Sequence, residues 1–322
     1  MYPGNESEKP VLRDVIDNLK KRNNITGRTI HVADKGLNCA QNIAFSRKNG
    51  DGYLFSKSVK GLPKKEKEWV LLKNDYTVVR DKKGKELYRY KSCVDQFPYT
   101  VEHEGKEVTV QLTEKRLVTY NSTLATKKRY EINRMVEKAK SLTLSQAKRD
   151  DYGETGKYMS FTDGEGGKAK VNINQKAIDK DLQLAGYNLI VTSEIRMTDS
   201  DIYSTYHNLW RIEESFRIMK SDLDARPVFV QKESTIKGHF LICYLTVLLE
   251  RIFQFKILGD KFGTCELFSF MKGFKATEAQ GKYINTTIDS DLIEHLSKNT
   301  GLPLQNYMLS ETQIKSILNY RM

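Results

Sequence analysis

A change in hydrophobic period divides this sequence and restricts the folds that it can adopt. Up to about residue 63, helical spacing alternates with short buried β runs. From Lys64 to about Thr119 the period becomes two, in runs such as "EWVLLK", "YTVVRD", "ELYRYK" and "RLVTYN" separated by the turns "DKKGK" and "EHEGK". That pattern predicts antiparallel β-structure, and helical spacing returns from about Ser200. The sequence therefore predicts an α/β domain that is interrupted by a β-rich insertion and completed by helices.

The first part of the chain carries one candidate functional aspartate. Helical spacing in "EKPVLRDVIDNLKKRN" and "CAQNIAFSRKN" alternates with β runs in "RTIHVAD" and "DGYLFSKSV". In α/β sheets, functional groups gather at the carboxyl ends of the strands. Asp34 occupies such an end, although a role in a turn or a helix cap would also place an aspartate there.

Four segments follow from these patterns. We predict the first half of the core in residues 1–66, a β-rich insertion with a basic helix in 67–198, closing helices of the core in 199–260, and a helical C-terminal tail in 261–322. We expect the insertion to form an independent layer, because "GLPKKEKE" and "MTDSD" at its ends have turn and solvated character. Its basic helix, from Leu124 to Arg149, has eight Lys or Arg against two Glu, and it either follows phosphates or is a solvated face.

Charge and hydropathy limit the classes of protein to which this chain can belong. The net charge of +12 favours a polyanionic partner, with nucleic acid as the first candidate, although ribosomal, chaperone-like and membrane-surface proteins share such a balance. The four cysteines are far apart and form no CxxC pair, which disfavours a zinc knuckle or a disulfide framework. The longest apolar stretch, "FLICYLTVLL", has about half the length that a bilayer requires, so we predict a buried core helix there. With no signal-peptide pattern at the start, these features indicate a cytoplasmic protein with no membrane partner.

The stretch "NLWRIEESFRIMKSDL" has an unusual polar face. At about 100° per residue, Tyr206, Arg217 and Lys220 fall within roughly 40° of Glu213 on one helix. An apolar stripe of Leu209, Ile212, Phe216, Met219 and Leu223 lies beside them. The polar column is either a solvated face with charge pairs or an active-site face. Two-metal phosphoryl transfer needs carboxylates from distant chain positions, and Asp34 and Glu213 suit two of the roles.

The same blocks resemble a known family. The chain resembles the C-terminal part of a bacterial insertion-sequence transposase of the Asp-Asp-Glu (DDE) class, which has a ribonuclease H-like core. The subgroup signature Y-x2-R-x3-E-x6-K maps onto Tyr206, Leu209, Glu213 and Lys220, with leucine in the arginine position. "TIHVADKGLNCAQNI" resembles the strand of the family's second aspartate, and "YPGNESE" and "KGHFLICYLTVLLERI" are similar to other recurrent blocks.

The resemblance implies a function and a set of site residues. Asp34 and Glu213 would be catalytic and would bind Mg²⁺ or Mn²⁺, and their carboxylates would approach to within roughly 4–8 Å. The activity would be DNA transposition, in which a polynucleotidyl transferase cleaves and transfers strands of double-stranded DNA at transposon ends, as a homodimer in the DNA complex. Contacts with DNA would come from the following residues: Tyr206, Arg217, Lys220, Lys127, Lys128 and Arg129. The protein would be cytoplasmic and associated with the bacterial nucleoid when bound to DNA.

One part of the family pattern has no counterpart in this sequence. The family's first aspartate lies on a strand upstream of the block that resembles "YPGNESE". Asp14 and Asp17 fall on the predicted first helix and do not replace it. We therefore expect a truncated transposase that is inactive alone. The alternative is a catalytically inactive remnant that binds DNA or full-length transposase as an inhibitor.

Overall fold

The computed structural model describes residues 8–103, 105–142, 153, 155–163, 169–287 and 289–321. The chain is a mixed α/β protein, about half of it helical. It divides into two compact units, Tyr2–Leu209 and Trp210–Met322. Except for Glu8, the block "YPGNESE" lies outside the described residues.

The first unit begins with the alternation that the sequence predicts. Helix α1 (Glu8–Arg22) precedes strand β1 (Ile30–Ala33), and helix α2 (Ala40–Lys48) connects it to β2 (Gly52–Lys57). β1 and β2 pair in parallel, because α2 returns the chain to the end at which β1 started. β2 is buried along most of its length, which explains its continuous apolar run.

The remaining elements of the first unit come from the predicted insertion and from the helix after it. They are α3 (Lys64–Leu71), β3 (Thr77–Arg80), β4 (Glu86–His103), β5 (Lys106–Tyr120), α4 (Ser122–Ser141), β6 (Met159–Asp163), β7 (Ala169–Ile173), α5 (Gln175–Leu184), β8 (Tyr187–Thr192) and α6 (Asp199–His207). The antiparallel pairing predicted up to about Thr119 is confirmed for β3, β4 and β5. "EWVLLK" was predicted as a strand, and this is wrong: its first four residues form the end of α3, whose first turn follows Pro63.

The insertion does not form an independent layer, and that prediction is wrong. Six strands make one mixed sheet in the order β1-β2-β8-β5-β4-β3. β8 pairs antiparallel with β2 on one side and with β5 on the other. Because the second edge of β2 needs hydrogen-bond partners, it recruits a strand from far along the chain, and the insertion thereby extends the main sheet.

Both faces of this sheet are covered. Tyr53, Phe55 and Val191 are fully buried on the face that Ile43 of α2 also covers. Leu54 and Ile190 are buried on the opposite face, against Ile202 of α6. The alternation of Tyr53, Leu54 and Phe55 between the two faces follows from the period of two in a strand.

The second unit is mainly helical, as predicted. Its elements are α7 (Trp210–Arg217), α8 (Glu233–Ile252), α9 (Thr264–Gly273), β9 (Ala276–Ala279), β10 (Lys282–Asn285), α10 (Asp291–Thr300), β11 (Met308–Leu309) and α11 (Glu311–Leu318). The three-stranded sheet β11-β10-β9 was not predicted. Its strands are short, and their hairpin turn uses positive φ angles of 51° at Gln280 and 74° at Gly281, a turn for which Asn-Gly is the usual sequence signal.

The apolar helix α8 corrects another expectation. "FLICYLTVLL" is helical, but Ile242 and Leu249 are 67% and 68% exposed, so the prediction of a buried core helix is wrong. Only Cys243, Val247 and Glu250 of α8 are buried, because they share one face of the helix. Within the described ranges, no helix combines the length and the apolar character that crossing a membrane demands.

Candidate active site

Strand β1 delivers Asp34 to the carboxyl end of the parallel pair. The Gly36 amide donates to Asp34 Oδ1 at 2.9 Å, and the Leu37 amide donates to the Asp34 carbonyl at 3.3 Å. The tight turn leaves Asp34 exposed. Its second carboxylate oxygen, Oδ2, has no hydrogen-bond partner in the part of the chain that the structure describes, so it is available to a cation.

An open sheet edge lies beside this aspartate. β1 is the end strand of the six-stranded sheet, and its only partner among the described strands is β2. The backbone donors and acceptors on its other side pair with no described strand, so a further strand could pair there. Such a strand would run next to Asp34.

The predicted helix that carries the other site residues is interrupted. The Leu209 amide donates to the Tyr206 carbonyl at 3.1 Å, three residues back, so α6 ends and α7 starts afresh at Trp210. After Arg217 the chain widens into a π-helical turn over Ile218–Asp222. The prediction of one continuous helix is therefore wrong, and a wheel of 100° per residue does not describe this column.

The site residues consequently belong to different units. Asp34 and Tyr206 lie in the first unit, whereas Glu213, Arg217 and Lys220 lie in the second. The approach of the Asp34 and Glu213 carboxylates stays a prediction.

Glu213 and Lys220 project from the second unit without competing contacts. Both side chains are exposed, and neither has an ion pair or a side-chain hydrogen bond among the described residues. The next residue differs, since Glu214 pairs with Arg251 at 2.8 Å. Glu213 is therefore free to bind a cation, and Lys220 is free to bind an anion.

Arg217 is more constrained than the sequence suggests. Its guanidinium donates to Thr264 Oγ1 at 3.0 Å and lies 3.5 Å from an Asp222 carboxylate oxygen and 3.9 Å from one of Glu214. A phosphate would have to compete with these partners. Its structural role is to tie the turn after α7 to the start of α9.

Tyr206 is half-buried and packs on the apolar cluster under the sheet. That cluster contains Leu54, Ile190 and Ile202, and the Tyr206 ring meets the His207 ring edge-on at 5.7 Å between centroids. Burial lowers the pKa of His207, so this ring is neutral at pH 7. The packing anchors the tyrosine ring in the first unit.

Helix α4 presents the predicted basic residues. Its first turn is capped by the Asn121 side chain, which accepts from the Leu124 amide at 3.0 Å. Lys127 and Arg129 are exposed, and Lys128 pairs with Glu131 at 2.8 Å. The helix is described as far as Ser141, and the rest of the predicted stretch, residues 143–149, lies outside the described residues.

A buried polar network was not predicted. Glu114 is fully buried and accepts from Tyr53 Oη at 2.8 Å, from Tyr99 Oη at 3.0 Å and from Arg116 Nε at 2.7 Å. Burial raises the pKa of both tyrosine hydroxyls, which keeps them protonated as donors. The spacing of two between Glu114 and Arg116 on β5 indicates a shared face, but only the tertiary structure shows that this face is buried.

The chemistry of the carboxylates suits a hard divalent cation. Mg²⁺ prefers oxygen ligands, and both Asp34 and Glu213 offer oxygens without protein partners in the described residues. Within those residues, no three or more His, Cys, Asp or Glu side chains cluster in a way that could hold a metal ion. Each unit therefore supplies one carboxylate rather than a complete ligand set.

Comparisons with known proteins add no relative: the chain matches no protein-family model and no curated protein. The resemblance described above therefore rests on the quoted sequence blocks.

Proposed function

We propose that this chain is part of a DNA transposase of the DDE class, which cleaves double-stranded DNA and transfers its strands by phosphoryl transfer. The observation that carries the proposal is the position of Asp34, exposed at the carboxyl end of a parallel strand pair and beside an open sheet edge. The signature spacing from Tyr206 to Glu213 and Lys220 supports it.

The proposal gives each residue a role. Asp34 and Glu213 would each hold a divalent cation, Mg²⁺ or Mn²⁺, and such ions activate a water or a 3′-hydroxyl and stabilise the leaving oxygen. The Gly36 amide fixes the Asp34 carboxylate through Oδ1, which leaves Oδ2 without a hydrogen-bond partner among the described residues. Lys220 binds phosphate near the cut, and the Tyr206 hydroxyl contacts the DNA end while its ring stays anchored.

The architecture agrees with a ribonuclease H-like core, which we also propose. The elements β1, α2 and β2 form a parallel β-α-β unit, and Glu213 follows Asp34 after 179 positions (213 − 34) that include the long β-hairpin. A strand carrying the family's first aspartate would pair with the open edge of β1. Arg129 and Lys127 on α4 would contact phosphates of transposon ends, and two copies of the chain would hold the DNA.

A second function is favoured by one observation. Leu209 occupies the position of the signature arginine, which removes one expected phosphate contact and suits an inactive remnant that holds DNA or full-length transposase without cutting. The two functions differ in what Mg²⁺ does to the protein. An inactive remnant needs no cation at Asp34 or Glu213.

Thermal unfolding with and without Mg²⁺ separates the two. Under the transposase proposal Mg²⁺ raises the Tm, and Asp34→Asn and Glu213→Gln each reduce that rise, because a ligand stabilises only the state that binds it. Asp14→Asn on α1 and Glu278→Gln on β9 are matched controls, since both residues are exposed and remote in sequence from the candidate site. A rise in Tm that is equal in all four variants contradicts the transposase proposal and supports the remnant.

A further inference from the structure

A cavity of about 310 Å³ in the first unit concentrates positive charge. Five lysines line it: Lys35, Lys57, Lys60, Lys128 and Lys157. Among the described residues, Asp181 supplies the only lining carboxylate, so the formal charge that these residues give the wall is +5 − 1 = +4. Like charges held together in this way repel one another, and a bound anion would relieve the repulsion.

The tertiary fold, and not a local sequence motif, assembles this lysine pocket. Lys35 lies in the turn after β1, and Lys57 is the last residue of β2. Lys128 comes from α4, whereas Lys60 and Lys157 come from short helical turns. Because only Lys57 and Lys60 are close in sequence and the other three lysines come from separate segments, a run of basic residues could not have indicated the pocket.

Three of the lysines already have carboxylate partners. Asp181 lies 2.8 Å from Lys60 and 3.3 Å from Lys157, and Lys128 pairs with Glu131. Asp181 also accepts from Tyr158 Oη at 3.1 Å. These contacts fix the positions of the pocket wall, but they neutralise only part of its charge.

Lys35 and Lys57 have no such partner. Within the described residues, no carboxylate oxygen lies within ion-pair distance of either ammonium group. The Lys57 side chain is half-buried, with Nζ 5.0 Å from the centre of the Tyr99 ring. Burial, and then the charge of Arg116, lowers the pKa of Lys57. The carboxylates of Glu114 and Glu66 act on this group only from beyond ion-pair distance, so its ammonium lacks full hydration and a close counter-ion among the described residues.

The rest of the wall supplies further donors and a rigid frame. Asn188 Oδ1 accepts from Ser56 Oγ at 2.8 Å, which leaves the Asn188 amide group as a donor. At Gly186 the φ angle is +88°, and a Cβ there would approach the Ala125 Cβ to 2.5 Å. The loop before β8 therefore packs tightly on α4, and the wall that they share cannot easily spread.

We propose that this lysine pocket binds a phosphodiester group of a nucleic acid, next to the turn that carries Asp34. Lysine acts as a point charge for phosphate, and several lysines around one anion need no fixed fork geometry. The choice of nucleic acid over free phosphate rests on the proposed function. Lys35 lines the pocket and directly follows Asp34, so the pocket lies next to the turn that carries the candidate catalytic carboxylate.

The test measures how DNA affinity depends on salt. Binding of a short fluorescent DNA duplex is followed by fluorescence anisotropy for the whole chain and for the double variant Lys35→Gln/Lys57→Gln. Because the slope of log affinity against log salt is about −0.9 for each phosphate neutralised, the loss of one phosphate contact makes the slope shallower by about 0.9. The control is Lys176→Gln/Lys180→Gln, which removes the same charge from exposed positions on α5.

The control keeps the original slope if the pocket binds a phosphate. Equal changes of slope in both double variants would show that only net charge affects DNA binding, and they would overturn the proposal that the pocket binds a phosphate. Should Lys57→Gln unfold the protein, the single variant Lys35→Gln decides the matter, because Lys35 is exposed and its loss leaves the core intact.

A second measurement identifies the source of the phosphate. The Tm is compared in sodium phosphate and in sodium chloride of equal ionic strength. Stabilisation by phosphate that is lost in Lys35→Gln/Lys57→Gln, together with an unchanged DNA slope, means a free-phosphate site and overturns the nucleic-acid proposal. If the DNA slope changes as expected but Asp34→Asn does not alter the effect of Mg²⁺, the lysine pocket stands and the transposase proposal fails.

Discussion

Replacing Arg116 with methionine should destabilise the first unit strongly. The Arg116 side chain is 3% exposed, and its guanidinium contacts the carboxylates of both Glu114 and Glu66. Its Cζ lies 3.3 Å from the centre of the Phe97 ring. Methionine keeps most of the apolar packing and removes the charge, so the change tests the electrostatic part.

The structure sets the expected magnitude. In Arg116→Met the fully buried carboxylate of Glu114 keeps its two tyrosine donors but loses its counter-ion. Leaving one charge of a buried pair without its partner costs about 3–5 kcal/mol. Glu66 adds little to this cost, because its side chain is 22% exposed and water can solvate it.

A second substitution should recover part of the loss. Glu114→Gln removes the negative charge, and the glutamine oxygen can still accept from Tyr53 and Tyr99. The double variant Arg116→Met/Glu114→Gln therefore has no unpaired buried charge at this position. We expect it to be more stable than Arg116→Met alone, with a coupling energy of about 1–3 kcal/mol.

The two tryptophans allow each unit to be followed separately. Trp69 lies on α3 in the first unit and Trp210 begins α7 in the second. Urea unfolding followed by Trp69 fluorescence in a Trp210→Phe background therefore reports the first unit. A loss below about 1 kcal/mol in Arg116→Met, or a double variant that loses the sum of both single effects, would refute the reasoning.

Three further outcomes are expected. Burial lowers the pKa of His31 and of His207 below the unfolded value of 6.5. The stability that the two neutral rings give the first unit is therefore fully present above pH 6.5 and is lost as the pH falls from 6.5 through their folded pKa values. Urea unfolding at about pH 7.5 and 5.5 measures this loss, and higher stability at pH 5.5 would contradict the prediction. Both Glu250 carboxylate oxygens are buried without a hydrogen-bond partner among the described residues, and burial raises the pKa of this group. Glu250→Gln should therefore stabilise the second unit by about 1 kcal/mol at pH 7, as measured by thermal unfolding. Gly186→Ala should lower the free energy of unfolding by roughly 2–4 kcal/mol, because of the positive φ and the overpacking against Ala125. Gly84→Ala, at φ +80° in open space, should lower it by only about 1–2 kcal/mol. Equal losses in the two variants would contradict the close approach of Gly186 to α4.

The order of the first elements was readable from local sequence. The helical period before Arg22, the short β runs and the turns between them predicted α1, β1, α2 and β2 correctly. Hydrophobic period is a local property, because each element buries one face or both, and neighbouring residues decide which. The position of Asp34 at a strand end followed from the same reasoning.

Strand pairing depended on the tertiary structure. Period two predicted that β4 and β5 were strands, but it did not show that β8 would join them to β2. Hydrogen-bond partners along a strand edge can come from any part of the chain, so the sequence around β2 does not indicate that β8 pairs with it. That is why an insertion that looked separate became part of the main sheet.

Some features of the candidate site could likewise be predicted from the sequence, whereas others depended on the tertiary structure. The sequence alone indicated which residues could carry the proposed chemistry, since Asp34, Glu213 and Lys220 match the blocks and the signature spacing of the family that the chain resembles. The tertiary structure decided that the helix between Tyr206 and Glu213 is interrupted and that Arg217 is engaged by Thr264. It also brought lysines from positions 35 to 157 of the chain around one cavity, because only packing between segments, and not their order along the chain, fixes which side chains share a space.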